Sequence, residues 1–315
     1  MQSQTPDAAW PALPFAEWAD TCETLHLMCQ IVGKVRLAQT PWLNHSWQTP
    51  LYVTARGLTS GLIPHGNRAF DLEFDFVRQV LRVRSDGPAA SMALDAMPVA
   101  DFYAAVMDML AEVGAPVAIH GAPNEMPLAI PFAHDHAPRA YDPLYAMRFW
   151  RVLLRTDRVL KDFRTAFLGK ASPVHFFWGS FDLAVTRFSG RPAPRHPGGV
   201  PHLPDAVARE AYSHEVSSAG FWPGGPGDQD AAFYSYAWPQ PPGFSAAAVF
   251  PAEARFDEAL GEFVLPYEAV RTAADPDGAL MDFLASTYAA AADLGHWDRA
   301  ALECELGEPG RPRPV

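Results

Sequence analysis

The chain has 315 residues, of which 49% are hydrophobic and only 19% charged, with a formal net charge of −12. This composition provides for a substantial core and excludes general disorder, and an acidic chain without a Lys/Arg run lacks the basic face that nucleic acids and anionic membranes require. No apolar stretch approaches the roughly 20 residues that span a bilayer, the opening residues lack the basic and apolar regions of a signal peptide, and Cys22, Cys29 and Cys304 are too few and too scattered for a disulfide framework, so a cytoplasmic protein is expected.

Residues 1–14 are expected to be a flexible N-terminus. The segment 15–39 follows Pro14 and sets Trp18, Cys22, Leu25, Cys29 and Val32 on one helical stripe. In "TPWLNHSWQTP" (40–50), Trp42 and Trp47 bracket Asn44, His45 and Gln48. Such interleaving suits a neutral polar ligand, by stacking and hydrogen bonding, as well as it suits a loop anchored by its tryptophans. Strand patterns follow at 49–56, 70–77, 79–85 and 89–95. In "FDLEFDF", Phe70, Leu72, Phe74 and Phe76 face one way and Asp71, Glu73 and Asp75 the other, predicting a half-solvated antiparallel strand.

A helix is predicted over 98–113, ending at Gly114, and a strand over 116–120. His134 and His136 could share a metal with Asp135 or Asp142. However, Asp142 is accounted for as a helix cap and Pro131 and Pro138 mark a loop, so no metal site is expected. The helix over 143–168 has Pro143 in its first turn and Gly169 beyond its end. "FLGKAS" fails as a phosphate loop, with Arg164 where glycine is needed and Ala171 after the lysine, and the sequence carries no G-x-S-x-G, H-E-x-x-H or C-x-x-C.

The stretch 174–190, "VHFFWGSFDLAVTRFSG", is predicted as one strand over 174–188. Alternation puts His175, Phe177, Gly179, Phe181, Leu183 and Val185 on one face, with Phe176, Trp178, Ser180, Asp182, Ala184 and Thr186 on the other. A core face rarely carries Asp and a solvated face rarely carries Trp, so the second face reads as the lining of a pocket. Further strands are predicted at 211–218, 231–238 and 261–265. Residues 190–209 and 221–229 form Pro/Gly-rich loops, of a length often tied to function. A last helix, 276–294, runs from Asp275-Pro276 to Gly295, and residues 306–315 are expected to be a flexible C-terminus.

These elements define an α+β protein, a mainly antiparallel sheet with helices packed on it, in one globular domain over 15–305. A loose echo between "PLYVTARGLTSGLIP" and "DLAVTRFSGRPAP" leaves open two similar strand-rich halves, 41–114 and 173–295, each ending in a helix. The strings "SPVHFFWGSFDLAVTRFSGRPAP", "EAYSHEVSSAGFWPGG" and "NHSWQTPLYVTARGL" resemble a bacterial family of uncharacterised proteins across roughly 15–303. The resemblance implies a single unit rather than a fusion, and it implies no activity, cofactor or functional residue.

For function, the residues point to a small polar ligand in an aromatic-lined pocket, with hydrolase- or isomerase-like acid–base chemistry as the enzymatic form. The lining residues would be Trp178, Ser180, His175, His45, Trp47 and Trp222, with Arg187 available for an anionic group. His214 would be the acid or base, because imidazole titrates near neutrality, and Asp182 would orient it. Glu215 would join them only through a bulge, since strand alternation sends it to the opposite face from His214. No cofactor is specified. The alternative is a non-catalytic protein that binds a partner or a second copy of itself through the aromatic, Pro-rich stretch 221–244.

Overall fold

A computed structural model describes residues 9–126, 128–200, 202–225 and 229–313. Helix α1 (Phe15–Gln39) leads into six short strands: β1 (Tyr52–Val53), β2 (Gly57–Thr59), β3 (Ile63–His65), β4 (Arg68–Asp75), β5 (Val80–Ser85) and β6 (Ala89–Ala93). They form a first antiparallel sheet ordered β1-β2-β4-β5-β6, with β3 also paired to β4. Helices α2 (Val99–Glu112) and α3 (Pro143–Thr165) follow. The second half comprises β7 (His175–Phe177), β8 (Asp182–Pro192), α4 (Asp205–Ala211), β9 (His214–Trp222), β10 (Ala232–Trp238), β11 (Arg255–Asp257) and β12 (Glu262–Pro266). Its strands form a second antiparallel sheet ordered β11-β12-β10-β9-β8-β7, and helices α5 (Tyr267–Arg271), α6 (Pro276–Leu294) and α7 (Arg299–Leu302) close the chain. The protein is therefore α+β, with two six-stranded antiparallel sheets. Leu51 and Phe176 exchange both backbone hydrogen bonds at 2.8 Å and so join the two sheets where β1 approaches β7. No helix among the described residues is long and apolar enough to cross a membrane.

The two longest predicted caps form as the residue types require. Asp142 accepts from Leu144 N at 2.8 Å ahead of Pro143, and Asp275 accepts from Gly278 N at 3.0 Å ahead of Pro276. α1 departs from its predicted single stripe: Leu25, Leu27, Met28, Cys29, Ile31, Val32 and Val35 are all buried, so the later turns of the helix are enclosed on every side, packed against α2, α3 and β3, while Glu17, Asp20 and Glu23 of the first turns stay exposed. Cys22 and Cys29 are free and buried, which pushes both thiols well above their usual range. Trp10 and Leu13, within the segment 1–14, bury their side chains, and Tyr267 Oη donates to Pro11 O at 2.6 Å. Residues 1–8 of that segment, and 314–315 at the other end, lie outside the described residues.

Three strand expectations change. Residues 116–120 pair with no strand: the chain leaves α2 through Ala115 N donating to Leu110 O and stays irregular. The 211–218 prediction begins too early, because α4 occupies residues up to Ala211 and pairing starts at His214. The stretch 174–188 is a hairpin instead of one strand, turning at 178–181 with Phe181 at φ +60°.

In β4 the expected alternation holds, but the acidic side is covered by arginines instead of water. Asp75 is fully buried and accepts from Arg56 Nε at 2.7 Å, while Arg82 Nη2 lies 3.2 Å away and Arg84 pairs with Asp71 and Glu73. Asp75 Oδ1 also accepts the N–H groups of Val77 and Arg78 in the turn to β5. Burial pushes this carboxyl up, but the Arg56 and Arg78 hydrogen bonds and the charges of Arg56 and Arg82 outweigh it and hold the group below the usual range. Its stabilising contribution is therefore present above the usual carboxylate pKa and is lost as pH falls through the depressed value. Asp75→Ala is expected to cost about 2–3 kcal/mol in urea unfolding at pH 7, against less than about 1 kcal/mol for Asp71→Ala. Equal losses in the two variants would show that the buried acceptor adds nothing.

Candidate functional site

The second sheet has two unlike faces, set by alternation about its register. Leu183, Val185, Ala219, Phe221, Phe233, Ser235 and Leu265 face α3 and α6 and are buried there. The opposite face fronts a cavity of about 940 Å³. From one edge to the other it presents Arg255 and Asp257 (β11), Glu262 and Val264 (β12), and Tyr234 and Tyr236 (β10). It continues through Val216, Ser218 and Trp222 (β9), Asp182, Ala184, Thr186 and Phe188 (β8), and His175 and Phe177 (β7). A cover of loop and short helix faces the sheet across the space. It comprises Trp42, His45, Ser46 and Trp47 from the loop after α1, together with Val200, Leu203, Val207 and Ala211 at and before α4. The cover therefore draws on two stretches that the sequence marks out, 40–50 and the Pro/Gly-rich 190–209.

The hairpin turn decides which part of "VHFFWGSFDLAVTRFSG" enters the cavity. Phe177 pairs with Asp182, and His175 with Ala184, so directly opposed residues share a face. Four turn residues lie between Phe177 and Asp182, and the predicted parity flips across them. His175 and Phe177 thus line the cavity with Asp182, Ala184 and Thr186, whereas Phe176 joins the core against Phe149 and Phe181. Trp178 and Ser180 reach the cavity from the turn itself. Trp178 Nε1 donates to Thr49 O at 3.0 Å, and its ring lies against Gly33 of α1, where a Cβ would collide with it.

At the centre, Asp182 accepts from Ser180 Oγ at 2.7 Å and from Tyr234 Oη. Burial pushes its carboxyl up despite both hydrogen bonds. Glu125 and Glu262 are each pushed up to about 7, first by burial and then by the negative charge of Asp182, with Asp257 adding to the effect on Glu262 and Lys34 partly opposing it on Glu125. Tyr234 stacks on Tyr236 at 6.1 Å, Tyr236 Oη lies 3.0 Å from Tyr212 Oη, and Thr186 Oγ1 lies 2.8 Å from Ser218 Oγ. Gly220 makes the Tyr234–Asp182 contact possible, because a Cβ there would collide with Leu183 O and lie 2.5 Å from Tyr234 Oη.

Glu125 is held in place by α1. His26, Gln30 and Lys34, four residues apart, form a polar line along that buried helix. His26 Nε2 lies 2.8 Å from Gly179 O, Gln30 Oε1 accepts from Asn124 N at 2.8 Å, and Lys34 Nζ donates to Asn124 Oδ1. The line thereby ties both the hairpin turn and the loop carrying Glu125 to one rigid element. The Glu125 carboxylate packs on Gly179, where any side chain would displace it.

His45 and Trp47 stand at the Phe188 end, with ring centroids 4.8 and 5.9 Å from Phe188. His45 Nδ1 lies 3.2 Å from the carbonyls of Glu210 and Ala211, and its Nε2 accepts from Lys170 Nζ at 2.6 Å. Burial and the Lys170 charge push this imidazole down. His175 is pushed down to about 3 by burial and by Arg36, and neither of its ring nitrogens has a partner among the described residues. Ser46 Oγ is likewise buried without one.

Three expected site residues are elsewhere. Arg187 has the opposite parity from Asp182 and lies on the helix side, its guanidinium 3.5 Å from the Phe163 ring centroid and 4.3 Å from that of Tyr288, donating to Phe163 O. It offers nothing to an anion in the cavity. Glu215 points away as alternation requires, since the bulge opposite it lies in β8 and does not turn it to the cavity, and it pairs with Arg191 at 2.6 Å. His214 shares the parity of the cavity face but sits beyond the bulge between Phe188 and Pro192, its ring 6.0 Å from His45 and its Nδ1 3.1 Å from Ser213 Oγ. It does not meet Asp182. Near His134 and His136, Asp135 pairs with Arg139 and Asp142 caps α3, and no group of three His, Cys, Asp or Glu among the described residues is arranged to hold a metal ion.

Sequence reasoning missed Glu125, Tyr234, Tyr236 and Glu262. "AFYSYAW" carried a signal, since Ala232, Tyr234, Tyr236 and Trp238 share one parity, and so did the four-residue spacing of His26, Gln30 and Lys34. For Glu125, in an irregular loop, no sequence pattern was available.

Fold and site together define a two-sheet α+β protein with an aromatic-walled, carboxylate-bearing cavity on one sheet face. The chain belongs to a family of unknown function, DUF5996, which matches residues 10–304. No curated protein and no solved structure matches it.

Proposed function

We propose that this protein binds a small polar ligand in the cavity over the second sheet, with Asp182 as its central polar contact. The supporting observation is the cavity itself, on which His45 and Trp47 from the loop after α1, Trp178 and Ser180 from the hairpin turn, and His175, Asp182 and Trp222 from β7, β8 and β9 converge. Apolar walls around a few placed polar groups are the usual form of a small-molecule site. An acid–base step near neutral pH would run through Glu125 and Glu262, which line the cavity and are pushed up to about 7, whereas His214 lies outside the lining. The interaction reading draws less support: Trp222, Tyr234 and Tyr236 of the 221–244 stretch face the cavity, Phe233 and Phe244 are buried, and residues 226–228 lie outside the described residues.

A thermal-shift screen of small polar metabolites tests the reading, since a ligand at 100 times its Kd stabilises by roughly 2.7 kcal/mol. Ala184→Leu, which adds bulk to the sheet face of the cavity, should abolish the shift given by any hit, and His214→Ala should leave it intact. The opposite pattern would move the site to the far end of β9.

A further inference from the structure

We propose that the ligand of this cavity is an organic cation, an ammonium or guanidinium compound, with its charged head held by Asp182, Glu125 and Glu262. This inference rests on the cavity reading above and names the chemical class of its ligand. Charge is the first ground. The described lining carries the carboxyls Glu125, Asp182, Asp257 and Glu262, and at its exposed rim Asp230, which accepts from Phe15 N, and Arg255, its one lining cation. The nearest buried lysine, Lys34, lies 5.5 Å from the Trp178 ring, donates to Asn124 and offsets only part of the effect on Glu125. Closely spaced buried carboxyls oppose one another unless a cation or protons intervene.

The aromatic residues give the second ground. Tyr234, Tyr236, Trp222 and Trp178 wall the same space, and aromatic faces beside carboxylates form the setting in which cations are held once removed from water. Above about pH 7, where Glu125 and Glu262 ionise, a neutral sugar would be served by the rings but would leave the negative charge uncompensated, and an anion would be repelled by it.

The third ground lies at the other end of the hairpin. His175 and Ser46 are buried on the cavity wall without hydrogen-bond partners among the described residues, and burial keeps the imidazole neutral. Unpaired buried polar groups are costly and are normally satisfied by something bound. His175 pairs across from Ala184, two residues along β8 from Asp182, so a ligand with its cation at Asp182 could place a second polar group, such as a hydroxyl, about 7 Å away.

Isothermal titration of the full chain at pH 8, comparing cations with neutral molecules of the same shape, tests the proposal. Choline is paired with 3,3-dimethyl-1-butanol, and putrescine with 1,4-butanediol. At least one cation is expected to bind roughly tenfold or more tightly than its neutral partner. Asp182→Asn should weaken the cation about tenfold and leave the neutral molecule within about twofold, with the unliganded Tm serving as the control for folding. Ala184→Leu should abolish both. Neutral molecules that bind as well as the cations, in a manner lost in Ala184→Leu, would overturn the cation proposal and leave the cavity reading standing. Cations that bind wild type and Ala184→Leu alike would overturn both, and no cation binding at roughly 10 mM would overturn the cation proposal alone, the metabolite screen then deciding the cavity.

Discussion

Gly220→Ala is expected to destabilise the protein by about 3 kcal/mol and to eliminate ligand binding in the cavity, although it adds only one methyl group. The position lies within β9, paired on both sides, opposite Ala184 on β8 and Tyr234 on β10. An added Cβ meets two obstacles, the Leu183 carbonyl oxygen and the Tyr234 hydroxyl. A hydroxyl at the end of a side chain can swing aside, whereas a carbonyl within a paired strand cannot move without breaking the ladder, and overpacking of this kind typically costs 1–3 kcal/mol. Displacing Tyr234 adds the loss of its hydrogen bond to Asp182, a charge-assisted bond in a buried site. The double variant Gly220→Ala/Tyr234→Phe separates the two obstacles. Removal of the hydroxyl should recover less than half of the loss, because the backbone collision remains. Urea unfolding with the four members of this cycle is the measurement, and a full recovery in the double variant would show that the strand yields and only the tyrosine is displaced.

The second large effect concerns pH. Glu262→Gln and Glu125→Gln are each expected to stabilise the unliganded protein by roughly 1–3 kcal/mol at pH 8 and by much less at pH 5. Both carboxyls are raised from 4.5 to about 7, so the folded state holds their protons more tightly than the unfolded chain does. Their favourable contribution is complete below about pH 4.5 and is lost as pH rises through 7, where each group must ionise against burial and against Asp182. The charged groups facing Glu262 are Asp182 and Asp257, and those facing Glu125 are Asp182 and Lys34. With Lys34 beside it, Glu125 should show the smaller gain. Urea midpoints at pH 5 and pH 8 read the effect directly, and a gain of the same size at both values would assign it to packing instead of charge. A site that destabilises its own empty fold at working pH is what a binding function would retain, since amide substitutions there improve stability at the expense of the ligand.

The local elements were legible in the sequence to the extent that their signals were local. α3 and α6 announce themselves by Asp-Pro at the start and by 3.6-residue apolar spacing, and these depend only on the chain near each residue. β4, β5 and β10 follow from alternation for the same reason. α1 was found but its surroundings were misjudged, because a stripe of five apolar residues does not reveal that other elements pack against the remaining faces. β2, β3 and β11 are three residues long and owe their existence to their partners, so no periodicity could develop within them.

For the candidate site, residue types and approximate locations came from the sequence: the aromatic and polar residues of 40–50 and 174–182, and the long Pro/Gly-rich segment that supplies the cover. What the sequence could not decide was facing. A four-residue turn between Phe177 and Asp182 exchanged the two faces of the 174–188 segment, and in a structure of period two such a turn exchanges every side chain before it. That one turn brought His175 and Phe177 to the cavity beside Asp182 and sent Phe176 to the core. Arg187 and Glu215 were excluded by the same parity and His214 by its place beyond the bulge, while Glu125 and Glu262 entered from elements about 57 and 80 residues away from Asp182 in the chain. Composition and periodicity thus pointed to an α+β chain with a mainly antiparallel sheet and to residue types able to line a polar, aromatic cavity, and the tertiary structure divided the strands into two six-stranded sheets. Only the tertiary structure decided that the cavity would be acidic, because carboxyls that are unremarkable in isolation acquire their effect on one another by being buried together.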